Sequence, residues 1–253
     1  MNSESIEQPS PLAVDVRTQS PDRYLATLFA PPERRDSLFA LYAFDHEIAR
    51  VQMVVREPMA GLVRLQWWDD VIDGFKRDDN VAHPVVMALQ RAVTEGELNA
   101  AYLKRAVDGR RRLFEEEQPS GPEFWEHYLI EIGGSIACAA AALLGADAPE
   151  TLAVADRVGA VSATWEEVSA LNRNAMSPTL RLENESEEIG SWARREIADA
   201  RRQSASITRA ELPAFLPGTL AEIRLRDPAH YVQRPFLSTA VPRLAWCWLR
   251  GRF

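Results

Sequence analysis

Three aspartates with metal-binding potential stand close together in the sequence, where Asp69, Asp70 and Asp73 spell D-D-x-x-D. On a helix, Asp69 and Asp73 lie one turn apart on the same face, so their carboxylates could bind Mg²⁺. The same spacing is equally typical of a solvated acidic stripe, because apolar residues recur on the other side of this helix. We favour the surface stripe and keep the metal site as the alternative.

Two further acidic groups are candidates for chemistry, and neither forms a convincing catalytic set. Glu166 and Glu167 follow Trp165, and the pattern favours surface charge. The consecutive residues Asp45-His46-Glu47 fan out around a helix axis and therefore do not converge on one substrate atom. The sequence contains no zinc-binding histidine pair, no nucleophile elbow and no phosphate-binding glycine loop.

The elements that position these residues are predicted to be helices. Apolar residues step by three and four along the chain, as in Leu41, Phe44, Ile48, Val51 and Val55, and no alternating strand pattern of any length appears. The 253 residues, 46% of them hydrophobic, are enough for one large core. We predict a disordered lead over residues 1–20 and a single all-α domain over residues 21–253, a helical bundle.

Net charge and composition limit which binding partners and which cellular compartment we expect for the protein. A net charge of −8 argues against nucleic acid. Two isolated cysteines predict buried thiols in a reducing compartment, and no apolar run approaches the length of a membrane span. We expect a cytoplasmic protein, peripheral at the inner membrane, or a matrix protein if a mitochondrial presequence has been removed.

The C-terminal segment differs from the acidic body, because arginines interleave there with tryptophan, leucine and phenylalanine. Such a segment suits an interfacial helix on anionic lipid, or one that docks on a membrane-complex partner. A terminal helix that closes the core of the bundle is an equally good interpretation.

Several motifs resemble the squalene/phytoene synthase family. They are Tyr42-Ala43-Phe44, the segment Leu65-Gln66-Trp67-Trp68-Asp69-Asp70 and His83-Pro84-Val85, and the helix from Gly159 to Leu171 matches the position of the second signature of the family. The resemblance covers roughly residues 21–175 and implies an isoprenoid-synthase-like bundle.

The resemblance also exposes a departure from the active members of the family. Their first aspartate-rich motif begins five residues after the signature phenylalanine, where this chain has Ala49 and Arg50, with Met53 at the last aspartate position. The second motif is replaced by Ser169-Ala170-Leu171 and Asn172-Arg173-Asn174. The Asp69–Asp73 run belongs to the next helix and is not the family motif displaced.

Two hypotheses follow from the resemblance. The first is a pseudoenzyme without cofactor, similar to a non-catalytic branch that works with protein partners in the assembly of respiratory complex I. Its candidate cavity or ligand-contacting residues are Tyr42, Phe44, Arg50, Arg64, Trp67 and Trp165. The second is an active, Mg²⁺-dependent head-to-head prenyl synthase of terpenoid biosynthesis, with a rewired metal site drawn from Asp45, Asp69, Asp73, Glu166 and Glu167.

Overall fold

The computed structural model describes residues 9–55, 57–75, 81–115, 120–173, 186–226 and 237–253, and within them every regular element is helical. This confirms the all-α prediction. The α-helices are α1 (Pro11–Gln19), α2 (Pro21–Thr27), α3 (Pro32–Val54), α4 (Pro58–Gly74), α5 (Pro84–Thr94), α6 (Ala100–Glu115), α7 (Pro122–Leu129), α8 (Ser135–Leu143), α9 (Pro149–Arg173), α10 (Ser186–Arg202), α11 (Leu216–Arg226) and α12 (Leu237–Arg250).

The predicted disordered lead is wrong for residues 11–19, which form α1. Pro11 starts the helix in the first turn, where its missing N–H costs nothing, and the Ser10 hydroxyl accepts a hydrogen bond from the Ala13 backbone N–H. Ala13 and Val16, three residues apart, are buried against α3. The helix therefore belongs to the bundle, and residues 1–8 lie outside the described residues.

Helix α3 is the element that carries most of the candidate residues, and it crosses the core. Leu41, Phe44 and Ile48 are almost completely buried, which confirms the predicted apolar stripe. The helix ends at Val54, and Pro58 opens α4 at its first position. The C-terminal end of α3 therefore lies beside α4.

Helix α9 lies at the centre of the bundle and packs against α8, α10 and α11. Its closest approach is to the π-helical segment Ile130–Gly134, which joins α7 to α8. A Cβ added at Gly133 would lie 2.2 Å from the Gly159 carbonyl oxygen, so both positions need glycine for the two backbones to meet. This close approach draws α9 inward and places Glu167 in the interior, with Glu166 at its edge.

Candidate functional site

Five charged side chains from four helices form a cluster that we call the buried ion network. Four of them are buried, and the fifth, Glu166, is 33% exposed at the edge of the cluster. Arg23 of α2 donates to Asp45 Oδ2 of α3 at 2.5 Å and to Glu166 Oε2 of α9 at 3.1 Å. Arg110 of α6 donates to Glu167 Oε1 of α9, and its Nη2 lies 3.7 Å from Asp45 Oδ1. Two arginines thus hold three carboxylates.

Neutral groups supply further hydrogen bonds to this network, although the buried atoms Asp45 Oδ1 and Arg110 Nε have no hydrogen-bond partner among the described residues. The Gln52 amide donates to Glu167 Oε2 at 3.2 Å, and Arg110 Nη1 donates to the Tyr128 hydroxyl oxygen at 2.8 Å. Tyr42 lies beneath the Arg23 guanidinium, with 5.2 Å between the guanidinium carbon and the ring centroid. These contacts are what a buried charge needs, since an unpaired ion in an apolar interior is strongly unfavourable.

The network also shifts the ionisation of its members. Burial favours the neutral form of the Arg110 guanidinium, but Tyr128, Glu167 and Asp45 outweigh that effect and raise its pKa. The same balance raises the pKa of Arg23, where Glu166 and Asp45 act against burial. Burial raises the pKa of Glu166 above its usual range, more than Arg23 lowers it. Both arginines therefore stay charged at any pH at which the bundle is folded.

The residues present do not fit the Mg²⁺ clamp of the synthases. Ala49, Arg50 and Met53 provide no carboxylate on α3, and the interior carboxylates of Asp45 and Glu167 are held by arginines. Within the described residues no group of three or more acidic, histidine or cysteine side chains is placed to hold a metal ion. Of the second motif, the side chains of residues 170–173 and all of Asn174 lie outside the described residues.

The D-D-x-x-D run of α4 lies elsewhere, on the side of the helix that faces α6. Asp73 Oδ1 is 2.7 Å from Lys104 Nζ, and Asp69 Oδ2 accepts a hydrogen bond from Arg111 at 3.0 Å. Glu166 is paired instead with Arg23 of α2, at the edge of the buried ion network. Asp69 and Asp73 therefore join α4 to α6 through ion pairs with cations.

Sequence reasoning missed the network, and the surface interpretation is wrong for Glu167, whose side chain is 4% exposed. A signal for Arg110 was present, because it occupies a position in the stripe Leu103, Ala106, Val107, Arg110, Leu113, which is otherwise apolar and entirely buried. Asp45 likewise follows Phe44 in a run of nine buried residues from Ser37 to Asp45. A charged residue in such a position predicts a buried partner.

The six candidate cavity residues fall into three separate environments. Tyr42 adjoins the buried ion network, and Phe44 packs edge-on against Trp68 in the core, with ring centroids 5.2 Å apart. Trp165 is buried beneath Arg224 of α11, whose guanidinium carbon is 5.3 Å from the ring centroid. The other three, Arg50, Arg64 and Trp67, share one site.

That site is a surface cleft of about 520 Å³ between the end of α3 and α4, and we call it the α3–α4 cleft. It is lined by Glu47, Arg50, Val51, Val54, Arg64, Trp67 and Trp68. Trp67 stands on its rim, edge-on to Trp68 at 4.9 Å, and is 41% exposed. The cleft combines an apolar floor with two cationic side chains.

Helix α12 has an inner face and an outer face of different character. Ala240, Leu244 and Cys247 are buried, and Phe253 stacks on Phe215 of the core with 5.4 Å between ring centroids. The outer face exposes Val241, Trp246 and Leu249 together with Arg243, Arg250 and Arg252. The helix therefore closes the core and also presents a basic-aromatic surface.

Comparison with known proteins places this bundle in a class. The family model for squalene/phytoene synthase matches residues 16–166, and the chain belongs to that family. A dehydrosqualene synthase superposes with a TM-score of 0.73 at 15% identity, covering 95% of this chain and 94% of its own. Squalene synthase HpnC from Alicyclobacillus acidocaldarius gives 0.67 at 14% identity, with 89% and 94% covered. These likenesses confirm the fold.

The curated relatives of the chain carry a different description from the solved structures. NADH dehydrogenase (ubiquinone) complex I, assembly factor 6 of Homo sapiens is 30% identical over 130 residues, which is 51% of this chain and 39% of that protein. The Bos taurus protein of the same name is 29% identical over the same shares. A Drosophila melanogaster homologue is 38% identical over 97 residues, 36% of this chain and 29% of its own. The aligned stretches thus span well under half of these relatives.

Removing the charge of Arg110 should destabilise the bundle severely. Arg110→Met leaves Glu167 buried without a cation, and we expect a loss of about 3–5 kcal/mol in the free energy of unfolding, measured by urea titration with circular dichroism. The control is Arg112→Met on the same helix, whose side chain is 40% exposed and pairs with Glu131. It should cost less than about 1 kcal/mol. Equal losses in the two variants would contradict a buried ion network.

Proposed function

We propose that this protein is a non-catalytic member of the squalene/phytoene synthase family that acts in the assembly of respiratory complex I through protein partners. The curated relatives named complex I assembly factor support the assembly role. The structural observation that carries the loss of chemistry is the buried ion network, whose arginines occupy the interior carboxylates. The proposal needs no metal and no organic cofactor.

The physical argument concerns the charge that prenyl transfer creates. Departure of an allylic diphosphate leaves a multiply charged anion in an apolar cavity, and synthases need cations aimed at it. The first-motif positions Ala49 and Met53 cannot ligate Mg²⁺. The cationic groups of the interior, Arg23 and Arg110, already neutralise carboxylates of the protein itself. The rewired synthase remains the alternative function, and it would require this network to open.

The membrane that carries complex I is the place we propose for this activity, with the protein bound at its surface. No described helix is both long and apolar enough to cross a bilayer. The outer face of α12 supports surface binding instead, because residues 237–253 contain no aspartate or glutamate. Trp246 and Leu249 are 53% and 65% exposed, and the Arg250 guanidinium carbon lies 4.3 Å from the Trp246 ring centroid. Tryptophan and arginine in this combination suit the headgroup region of anionic lipid.

Deletion of the gene in its own organism should lower complex I activity, because assembly would stall without the factor. The measurement is NADH–quinone reductase activity of isolated membranes, with succinate–quinone reductase activity as the internal control. Return of the wild-type gene should restore the first activity and leave the second unchanged. Full complex I activity in the deletion strain would contradict the proposed role.

Vesicle binding should depend on the arginines of α12. In flotation assays the protein should bind vesicles of phosphatidylglycerol and phosphatidylcholine, more weakly at high salt, and should not bind phosphatidylcholine alone. Arg243→Glu with Arg250→Glu should abolish binding. Arg91→Glu with Arg195→Glu makes the same charge change at exposed positions on α5 and α10 and should leave much of the binding intact. A similar loss in both double variants would assign the effect to net charge and overturn the α12 assignment.

A further inference from the structure

Exposed apolar side chains concentrate on one face of the bundle, beside the α3–α4 cleft. In the described residues, large apolar side chains that remain exposed are scattered singly over α1, α2 and α5, and grouped only here and on α12. The group beside the cleft consists of Met53 and Val54 at the end of α3 and Met59, Val63 and Trp67 on α4. Contiguous exposure of this kind marks an interaction site on a protein surface.

Three exposed apolar side chains form a ridge along one face of α4. Met59, Val63 and Trp67 stand four residues apart on one face and are 68%, 62% and 41% exposed. They span about 12 Å along the helix axis. The opposite face of α4 is buried by Leu65, Trp68 and Ile72, as expected for a bundle helix. The exposed face also carries the polar residues Gln66 and Asp70, so the three large apolar side chains stand within a face of mixed character.

The charges beside this ridge favour an acidic partner. Arg50 and Arg64 both line the α3–α4 cleft, against the single carboxylate of Glu47. Within the described residues neither arginine forms an ion pair, whereas Arg34, Arg105, Arg112 and Arg157 all do. The protein as a whole carries a net charge of −8, which repels an acidic partner over most of its surface. The two arginines at this cleft attract such a partner locally, so an acidic segment would approach with its carboxylates toward them.

We infer that the α3–α4 cleft binds an amphipathic helix of a partner protein, with an apolar stripe that packs on Val51, Val54 and Trp67 and with carboxylates that reach Arg50 and Arg64. The inference rests on the proposed assembly role and names the surface through which it operates. Helix-in-groove binding uses apolar anchors one turn apart, the spacing that α4 presents. Tryptophan, methionine and arginine are also the residues enriched in the centres of protein interfaces. A cleft between two helices suits a ridge of side chains better than the flat surface of a membrane.

The binding test uses the full chain and two labelled synthetic helices that share one apolar stripe, flanked by glutamates in the first peptide and by lysines in the second. Fluorescence anisotropy should show the glutamate peptide binding at least about ten-fold more tightly. Val54→Asp, at a cleft valine that is 47% exposed, should weaken that binding by about ten-fold or more. Arg50→Glu with Arg64→Glu should reverse the preference between the peptides. Val14→Asp, at a valine 39% exposed on α1, is the matched control and should change nothing.

The altered side chains are exposed, so circular dichroism should report folded variants. A preference that survives Arg50→Glu with Arg64→Glu, or binding of neither peptide, would overturn the inference. Binding of phosphatidylglycerol vesicles that is sensitive to Val54→Asp would overturn it too, because the cleft would then be a lipid site.

A genetic arm separates failure of this inference from failure of the assembly role. In the deletion strain, the wild-type and Val14→Asp genes should restore complex I activity, and Val54→Asp should not. If Val54→Asp restores full activity, the cleft is not the docking surface although the assembly role stands. If the wild-type gene restores nothing, the assembly role fails, and the peptide titration still decides what the cleft binds.

Discussion

Two arginines inside an apolar bundle are the constraint on which the rest of the structure depends. Each must stay charged, and each must find its carboxylates on other helices because an isolated ion in such an interior is strongly unfavourable. Arg23 ties α2 to α3 and α9, and Arg110 ties α6 to the same two helices. The glycine contact between Gly133 and Gly159 brings α9 near enough for these bonds to form. Each interior arginine is therefore paired with carboxylates of two other helices, and these pairs fix how the helices pack.

This constraint connects the fold to the proposed loss of chemistry. A synthase interior must accept a diphosphate and the metal ions that neutralise it, so its carboxylates must be available as ligands. Here Asp45 and Glu167 are hydrogen-bonded to arginines, and the α3 positions for metal ligands hold Ala49, Arg50 and Met53. Arg50 has its place on the outer surface, in the α3–α4 cleft. The α3–α4 cleft and the outer face of α12 are thus the surfaces at which we propose that protein and lipid partners bind.

The sequence predicted the helices and the family well, because apolar periodicity and the segment from Leu65 to Asp70 are local signals. The ion network was not predicted, because its members are separated by up to 143 residues and meet only through the tertiary packing. Local charge alone led to the wrong prediction of a surface position for Glu167, because a Glu-Glu pair on a helix is most often solvated. Arg50, Arg64 and Trp67 were selected as candidates for different reasons. Only the packing of the end of α3 beside α4 shows that they share one cleft.

The most direct measurement of the central claim is release of diphosphate from farnesyl or geranylgeranyl diphosphate by the pure protein in the presence of Mg²⁺. An active dehydrosqualene synthase assayed in parallel establishes that the conditions support the reaction. We expect no more diphosphate than in the protein-free reaction, because the interior carboxylates in the described part of the chain are paired with arginines. Mg²⁺-dependent release above that background, with a prenyl product, would contradict the account and favour a synthase with a rewired site.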